Sequence, residues 1–280
     1  MIKEINQVLK TNKKDIVYDL FLPEKARQTP IVVFCHGYKG FKDWGAWNLM
    51  AEKIANAGIG ILKFNFSHNG GTAENPIDFP DEKAFGENTY SQEIEDLENV
   101  LLFLPQLKNK YPNLDLENLY LLGHSRGGAI VSYVGTKDIK VKKIITLASV
   151  SHFDRPFRIS EEELIKWKKD GVRYVENKRT KQQLPHYYSF YEDYEKNKDE
   201  FDLEKAFQNR NVPHLILHGD KDEAVSLEEA KNLQRWNKNA TLNILKNAGH
   251  TFGAMHPYEL NKLPSDLEKA TEYIIHFIKS

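Results

Sequence analysis

The densest chemical signal in the chain is Gly123-His124-Ser125-Arg126-Gly127-Gly128. It follows the apolar run Leu119-Tyr120-Leu121-Leu122 and opens a helical stretch through Ala129, Ile130 and Val131. A serine between two glycines at a strand-to-helix junction is lifted out of the backbone on a tight turn, with its hydroxyl exposed. The glycines let strand and helix pass close by. The residue after the serine opens the helix and can aim its N–H at negative charge forming on a carbonyl oxygen. This is chemistry for attack on an acyl group, with Ser125 as nucleophile and the Arg126 N–H as one stabilising donor.

A serine hydroxyl needs a base to take its proton and a carboxylate to orient that base. Candidates for both come later, each just beyond a strand-like run. The run 214–218 leads into Gly219-Asp220-Lys221-Asp222-Glu223-Ala224-Val225, and the run 242–245 leads into Lys246-Asn247-Ala248-Gly249-His250. In open α/β sheets, sites form beyond the carboxyl ends of strands. His250 is therefore the expected base. Asp222 is the expected acid, in competition with Asp220, Glu223 and Asp154. Asp220 reads as a turn-shaping residue, because Asp commonly bonds its own loop backbone. A second donor is expected after the run 31–35, in His36-Gly37-Tyr38-Lys39-Gly40, where a glycine allows a sharp turn and the Tyr38 N–H can point inward. His36 reads as a loop-holding histidine and Cys35 as a buried strand end.

The elements that must position these groups are legible as alternation. Continuous apolar runs at 31–35, 59–64, 119–122, 144–148 and 214–218 suit strands buried on both faces, as in a parallel sheet. Between them lie helical faces: Trp47, Met50, Ala51 and Ile54; then Ile94, Leu97, Val100, Leu101 and Leu104; finally Leu267, Ala270, Ile274 and Ile278. Ser265 to Glu268 predicts a capping box for the last helix. The fold expected is α/β, with crossover helices on both faces of a mostly parallel sheet. Residues 1–22 predict an antiparallel hairpin at its edge. Residues 150–212 break the rhythm, with no convincing buried strand. They predict a helical cap insertion over the sheet's end, dividing the chain into a core of 1–149 and 213–280 and a cap of 150–212. Within it, Ser160 to Gly171 reads as a helix with acidic residues in its first turn, lysines in its last and a glycine stop. Tyr187, Phe190, Tyr191 and Tyr194 would share a helical face. Most of that face is expected to glue the insertion to the core, with one or two rings walling a pocket. Lys166, Lys168, Lys169 and Arg173 read as a solvated face.

Taken together these segments resemble the α/β-hydrolase superfamily of serine hydrolases. The matching pieces are His36-Gly37-Tyr38-Lys39-Gly40, Gly123-His124-Ser125-Arg126-Gly127, Gly219-Asp220-Lys221-Asp222 with Val225, and Ala248-Gly249-His250. The chain is most similar to small carboxylesterases of the dienelactone-hydrolase-like and cinnamoyl/feruloyl-esterase-like kind. The double glycine Gly127-Gly128 is also seen in prolyl-oligopeptidase-like peptidases. The resemblance implies an α/β-hydrolase fold, a catalytic triad of Ser125, Asp222 and His250, and an oxyanion hole from the N–H groups of Tyr38 and Arg126. It implies hydrolysis of carboxylic esters through an acyl-enzyme and no cofactor. A peptidase or amidase, and a silent hydrolase-fold binding protein, are the alternatives. Phe66-Ser67-His68-Asn69-Gly70-Gly71 departs from many relatives, which carry an acidic residue and an Arg-Gly turn there. His68, Phe153, Tyr187 and Tyr191 are candidate pocket residues, with His68 read as either pocket-lining or turn-stabilising.

Composition narrows the partners. The chain of 280 residues has 39 Lys+Arg against 40 Asp+Glu, a net charge of -1 that argues against nucleic acid. One cysteine forbids an internal disulfide and a cysteine-based zinc site. No histidine pairing at metal spacing, Walker loop or G-x-G-x-x-G appears, so neither metal nor nucleotide cofactor is expected. No apolar stretch approaches the roughly 20 residues that span a bilayer. A small-molecule ester, no membrane and a cytoplasmic location are the expectations. The sequence leaves monomer or homodimer open.

Overall fold

The computed structural model describes residues 1–25 and 27–280. In chain order its elements open with β1 (Ile2–Leu9), β2 (Ile16–Leu22), β3 (Thr29–Cys35), α1 (Trp47–Asn56) and β4 (Gly60–Phe64). There follow α2 (Glu82–Glu87), α3 (Tyr90–Lys110), β5 (Leu114–His124), α4 (Arg126–Lys137) and β6 (Val141–Leu147). After a short 3-10 turn come α5 (Glu161–Asp170), β7 (Val172–Glu176), β8 (Gln183–Tyr187), α6 (Ser189–Asn197) and α7 (Leu203–Asn209). The chain closes with β9 (His214–Gly219), α8 (Leu227–Trp236), β10 (Ala240–Leu245) and α9 (Ser265–Lys279).

Eight strands form one sheet in the order β1-β2-β4-β3-β5-β6-β9-β10. β1 pairs antiparallel with β2, and β2 antiparallel with β4, while the pairs from β4 onward are parallel. The expected edge hairpin and mostly parallel sheet are both present. The apolar runs are explained by what lies on each face. Ile31, Val33 and Cys35 of β3 enter the core on the side of α3 and α4. Val32 and Phe34 enter the core on the side of α1 and α9. Because side chains alternate along a strand, only a run apolar at every position can serve both cores. Each of Ile31, Val32, Val33 and Phe34 is fully buried, worth about 1.5–3 kcal/mol per side chain.

Charge also holds this framework. Lys42 and Lys63 are fully buried, and so is Asp19. Lys42 Nζ donates to Asp19 Oδ1 at 2.7 Å, and Lys63 Nζ pairs with Asp19 and, at 2.6 Å, with Asp43 Oδ1. Buried charges persist only when paired in this way. The cluster pins the chain just after the loop 36–40 to β2 and β4.

Two expectations change here. Residues 150–212 are not wholly helical, because β7 and β8 form a separate two-stranded antiparallel sheet. Its strands are five residues long and half polar, and Pro185 lies inside one of them, so no buried-strand pattern marks them. At α9, Ser265 is already the first helical residue, Pro264 sits at the cap position, and no side-chain cap forms. The helix α5 does carry a full capping box between Ser160 and Glu163, with Gly171 left-handed at its end. No helix among the described residues is long and apolar enough to cross a membrane.

Candidate active site

β5 delivers Ser125 to the carboxyl edge of the sheet, and α4 begins at the next residue. Ser125 has φ 55° and ψ −119°, a conformation that a non-glycine residue holds only where its surroundings enforce it. The enforcement is steric and local. A Cβ on Gly123 would strike the Gly127 carbonyl, and a Cβ on Gly127 would strike the carbonyls of Cys35 and His36. A Cβ on Gly37 would lie 2.9 Å from that of Ser125. Small residues at 37, 123 and 127 thus let β3, β5 and α4 converge on one serine. The Ser125 N–H donates to the Leu147 carbonyl at 2.9 Å, tying the turn to β6.

Asp222 and His250 lie in the loops that follow β9 and β10. His250 Nδ1 donates to Asp222 Oδ2 at 2.8 Å. The other carboxylate oxygen accepts from the N–H groups of Ala224 and Val225 at 2.9 and 2.8 Å. Buried His218 adds a contact, with Nε2 3.3 Å from Asp222 Oδ2. Burial raises the Asp222 carboxyl, but the bonds from His218, His250 and the backbone outweigh it and hold the group well below the usual carboxylate range. Asp220 accepts from the Asn247 N–H at 2.6 Å, and Asp154 pairs with Arg158 at 2.9 Å. Of the carboxylates considered, Asp222 is the one that meets His250. Ser125 and His250 share no hydrogen bond among the described residues; they face the same cavity of about 460 Å³. Catalytic hydrogen bonds often tighten only once substrate is bound.

The loop 36–40 stands opposite. Gly40 N–H closes its turn on the Gly37 carbonyl at 3.0 Å. His36 Nδ1 donates to the Gly37 carbonyl at 2.9 Å, and its Nε2 accepts from the Phe66 N–H at 3.3 Å. Both ring nitrogens are used by the neutral form, and burial pushes the ring down to about 4. The Arg126 N–H lies in the first turn of α4, where no intrahelical carbonyl is available to it. Tyr38 and Arg126 both line the cavity with Ser125 and His250.

The four candidate pocket residues lie elsewhere. His68 bonds Ser67 Oγ at 2.7 Å. Phe153 is 2% exposed, in an aromatic nest 4.8 Å from the Tyr90 ring and 5.1 Å from Phe201. Tyr187 ends β8 rather than sharing a helix with Tyr191, and its ring packs on Gly86. Tyr191 lies on α6 and packs on Phe157 and Tyr188. The segment 150–212 instead brings Val150, His152, Arg155, Pro156, Arg173, Val175 and His186 to the cavity. Arg173 therefore does not belong to a solvated face. It alternates with Val172 and Tyr174 on β7, and its guanidinium lies 3.9 Å over the Trp167 ring. Neither β7 nor the inward side of His186 has a marker in the sequence.

Residues 18–237 match the BD-FAE family. The chain belongs to the BD-FAE family. The matched span includes Ser125 and Asp222 and stops short of His250. No curated protein matches the chain. Among solved structures, it is similar to Est1E from Butyrivibrio proteoclasticus with ferulic acid bound, at TM-score 0.73 and 17% identity, covering 98% of each chain. It is similar to alpha/beta hydrolase domain-containing protein 10 from mouse, at TM-score 0.66 and 16% identity, covering 98% of each chain. A Paleococcus ferrophilus monoacylglycerol lipase matches at TM-score 0.63 and 17% identity, covering 94% of this chain and 98% of the lipase. The resemblance to α/β hydrolases drawn from the sequence holds at the level of family and fold.

Proposed function

We propose that the chain is a serine esterase that cleaves small carboxylic esters through an acyl-enzyme. Ser125 attacks the ester carbonyl while His250 takes its proton. Asp222 holds the imidazole with Nδ1 protonated and stabilises the imidazolium that forms. The N–H groups of Tyr38 and Arg126 receive the oxyanion. His250 returns the proton to the departing alcohol, then activates water to release the acid. The observation that carries this reading is the 2.8 Å bond from His250 Nδ1 to Asp222, with His250 and the strained Ser125 facing one cavity.

Residues 150–212 act as the cap in this reading, supported by the seven residues they contribute to the cavity wall. The buried, unpaired Cys35 fits a reducing compartment, and a cytoplasmic location goes with it. A fluorophosphonate probe followed by peptide mapping tests the proposal. The adduct is expected on Ser125; folded protein that stays unlabelled there rules the reading out.

A further inference from the structure

The wall of the cavity at Ser125 carries charge of one sign. Lys39, Arg126, Arg155 and Arg173 line it, and no aspartate or glutamate among the described residues does. Two carboxylates stand behind the wall. Glu93 takes Arg126 Nη1 at 3.3 Å. Glu229 comes within 4.0 Å of Arg155 Nε, but its Oε2 already accepts from Ser151 N–H at 2.6 Å and Ser151 Oγ at 2.5 Å. Lys39 and Arg173 have no carboxylate within 4.0 Å among the described residues. Lys39 reaches only the Glu176 main-chain carbonyl, at 3.4 Å. Arg173 donates Nη2 to the Pro156 carbonyl at 2.9 Å, and its Nε is buried without a partner. Two of the four cations on the wall thus have no carboxylate at ion-pair distance; Glu176 acts on Lys39 and Glu163 on Arg173 only from farther off.

Arg173 is also rigid. Its guanidinium is stacked on Trp167, and Trp167 Nε1 is itself tied to the His186 carbonyl at 2.8 Å. A half-buried guanidinium held this way is costly unless an anion meets it. Burial lowers its affinity for its proton; Tyr38 and Glu163 oppose this from beyond contact distance, and the nearby Arg126 charge adds to it. A planar fork already fixed in place loses little entropy on gripping a carboxylate. The remaining lining, including Val150, Val175, Val225 and Tyr90, suits the carbon skeleton of an organic acid.

We propose that the site selects esters carrying a free carboxylate, anchored by Arg173 with Lys39 adding to the attraction. The proposal rests on the esterase reading for its chemistry but has a binding test of its own. Two isosteric pairs decide it: 4-acetoxybenzoate against 4-acetoxybenzamide for the alcohol side, and monoethyl adipate against ethyl adipamate for the acyl side. In at least one pair the carboxylate is expected to be preferred by about tenfold or more in kcat/KM at low salt, with the ratio falling as salt screens the charge. In Arg173→Gln the ratio collapses towards one, and in Lys39→Gln it falls part of the way. Lys39→Gln, on a partly exposed loop, gives an answer if Arg173→Gln does not fold. Calorimetry with 4-hydroxybenzoate and 4-hydroxybenzamide reads the same preference without turnover. Ratios near one for both pairs and equal binding of the two phenols overturn the proposal, as does a preference retained in both variants. An unlabelled Ser125 with carboxylate-selective binding lost in Arg173→Gln instead sinks the esterase reading and leaves the anion site standing.

Discussion

The Tyr38 hydroxyl lies 2.7 Å from Nε2 of His186, across 148 residues of sequence. One belongs to the loop proposed to hold the oxyanion, the other to β8 of the proposed cap. The Tyr38 ring sits 4.4 Å beneath the Arg126 guanidinium, so the joint also touches the residue after the serine. His186 is buried, and its Nδ1 has no partner.

Tyr38→Phe should therefore leave both ring nitrogens of His186 buried and unpaired. The expected loss is about 1–2 kcal/mol, or roughly 2–8 °C in Tm for a chain of this size. A thermal melt checks it; an unchanged Tm would show that the bond holds nothing together.

Ser125→Ala should cost about three or more decades of kcat on 4-nitrophenyl acetate. Asp222→Asn is the subtler variant. The amide oxygen can still accept from Ala224 and Val225, while its NH2 group faces His250 and disfavours the Nδ1-protonated tautomer. Turnover should fall by about two to four decades with the melting curve largely preserved. Near-normal turnover in Asp222→Asn would remove Asp222 from the mechanism.

Gly37→Ala tests the convergence of the loop 36–40 on Ser125. The new methyl would start 2.9 Å from the Ser125 Cβ and 3.2 Å from the His124 carbonyl oxygen. The loop must shift by a few tenths of an ångström, moving the Tyr38 N–H. Steady-state kinetics should show kcat down by about tenfold or more while KM changes little. A loss confined to KM would place the loop in substrate binding alone.

Stability should fall on mild acidification. Burial holds His36 down at about 4 and His124, His186 and His214 at about 3, against an ordinary 6.5. Below pH 6.5 the unfolded chain binds protons that the folded chain refuses. The stabilisation is complete above that value and is lost as pH falls towards 4. Asp96 works the other way by one proton, since burial pushes its carboxyl up to about 7. His68 and His256 are lowered by burial as well, while Glu93 and Glu98 are raised with Asp96. The histidines outnumber the opposing carboxyls, so stability falls between pH 6 and 5. Urea midpoints at pH 7.5, 6 and 5 measure it, and a flat series would contradict the buried neutral histidines.

Much of this fold is written locally. The run 31–35 is apolar at every position because β3 feeds two cores, and such a run is visible without any knowledge of its neighbours. The turn at Ser125 is equally visible, since backbones that close tolerate only glycine at 123 and 127. The hairpin β7–β8 left no comparable trace. β7 is mostly half-exposed and β8 buries Leu184, Pro185 and His186 in succession, a mix with no continuous apolar run, and Arg173 among lysines looks like surface. Phe153 and Tyr191 show the opposite error, since large aromatic rings near a site serve packing as readily as binding.

By itself the sequence determined the α/β class, the edge hairpin, and the placing of Ser125, Asp222 and His250 just beyond strand ends. Those features follow from backbone period and steric allowance, which each residue carries with it. Only the tertiary structure decided that Asp222, rather than Asp154, meets His250. It alone brought Lys39, Arg126, Arg155 and Arg173 around one space. A net charge of -1 hides that concentration, because the field in a cavity depends on which side chains packing turns inward, and spacing along the chain does not encode it.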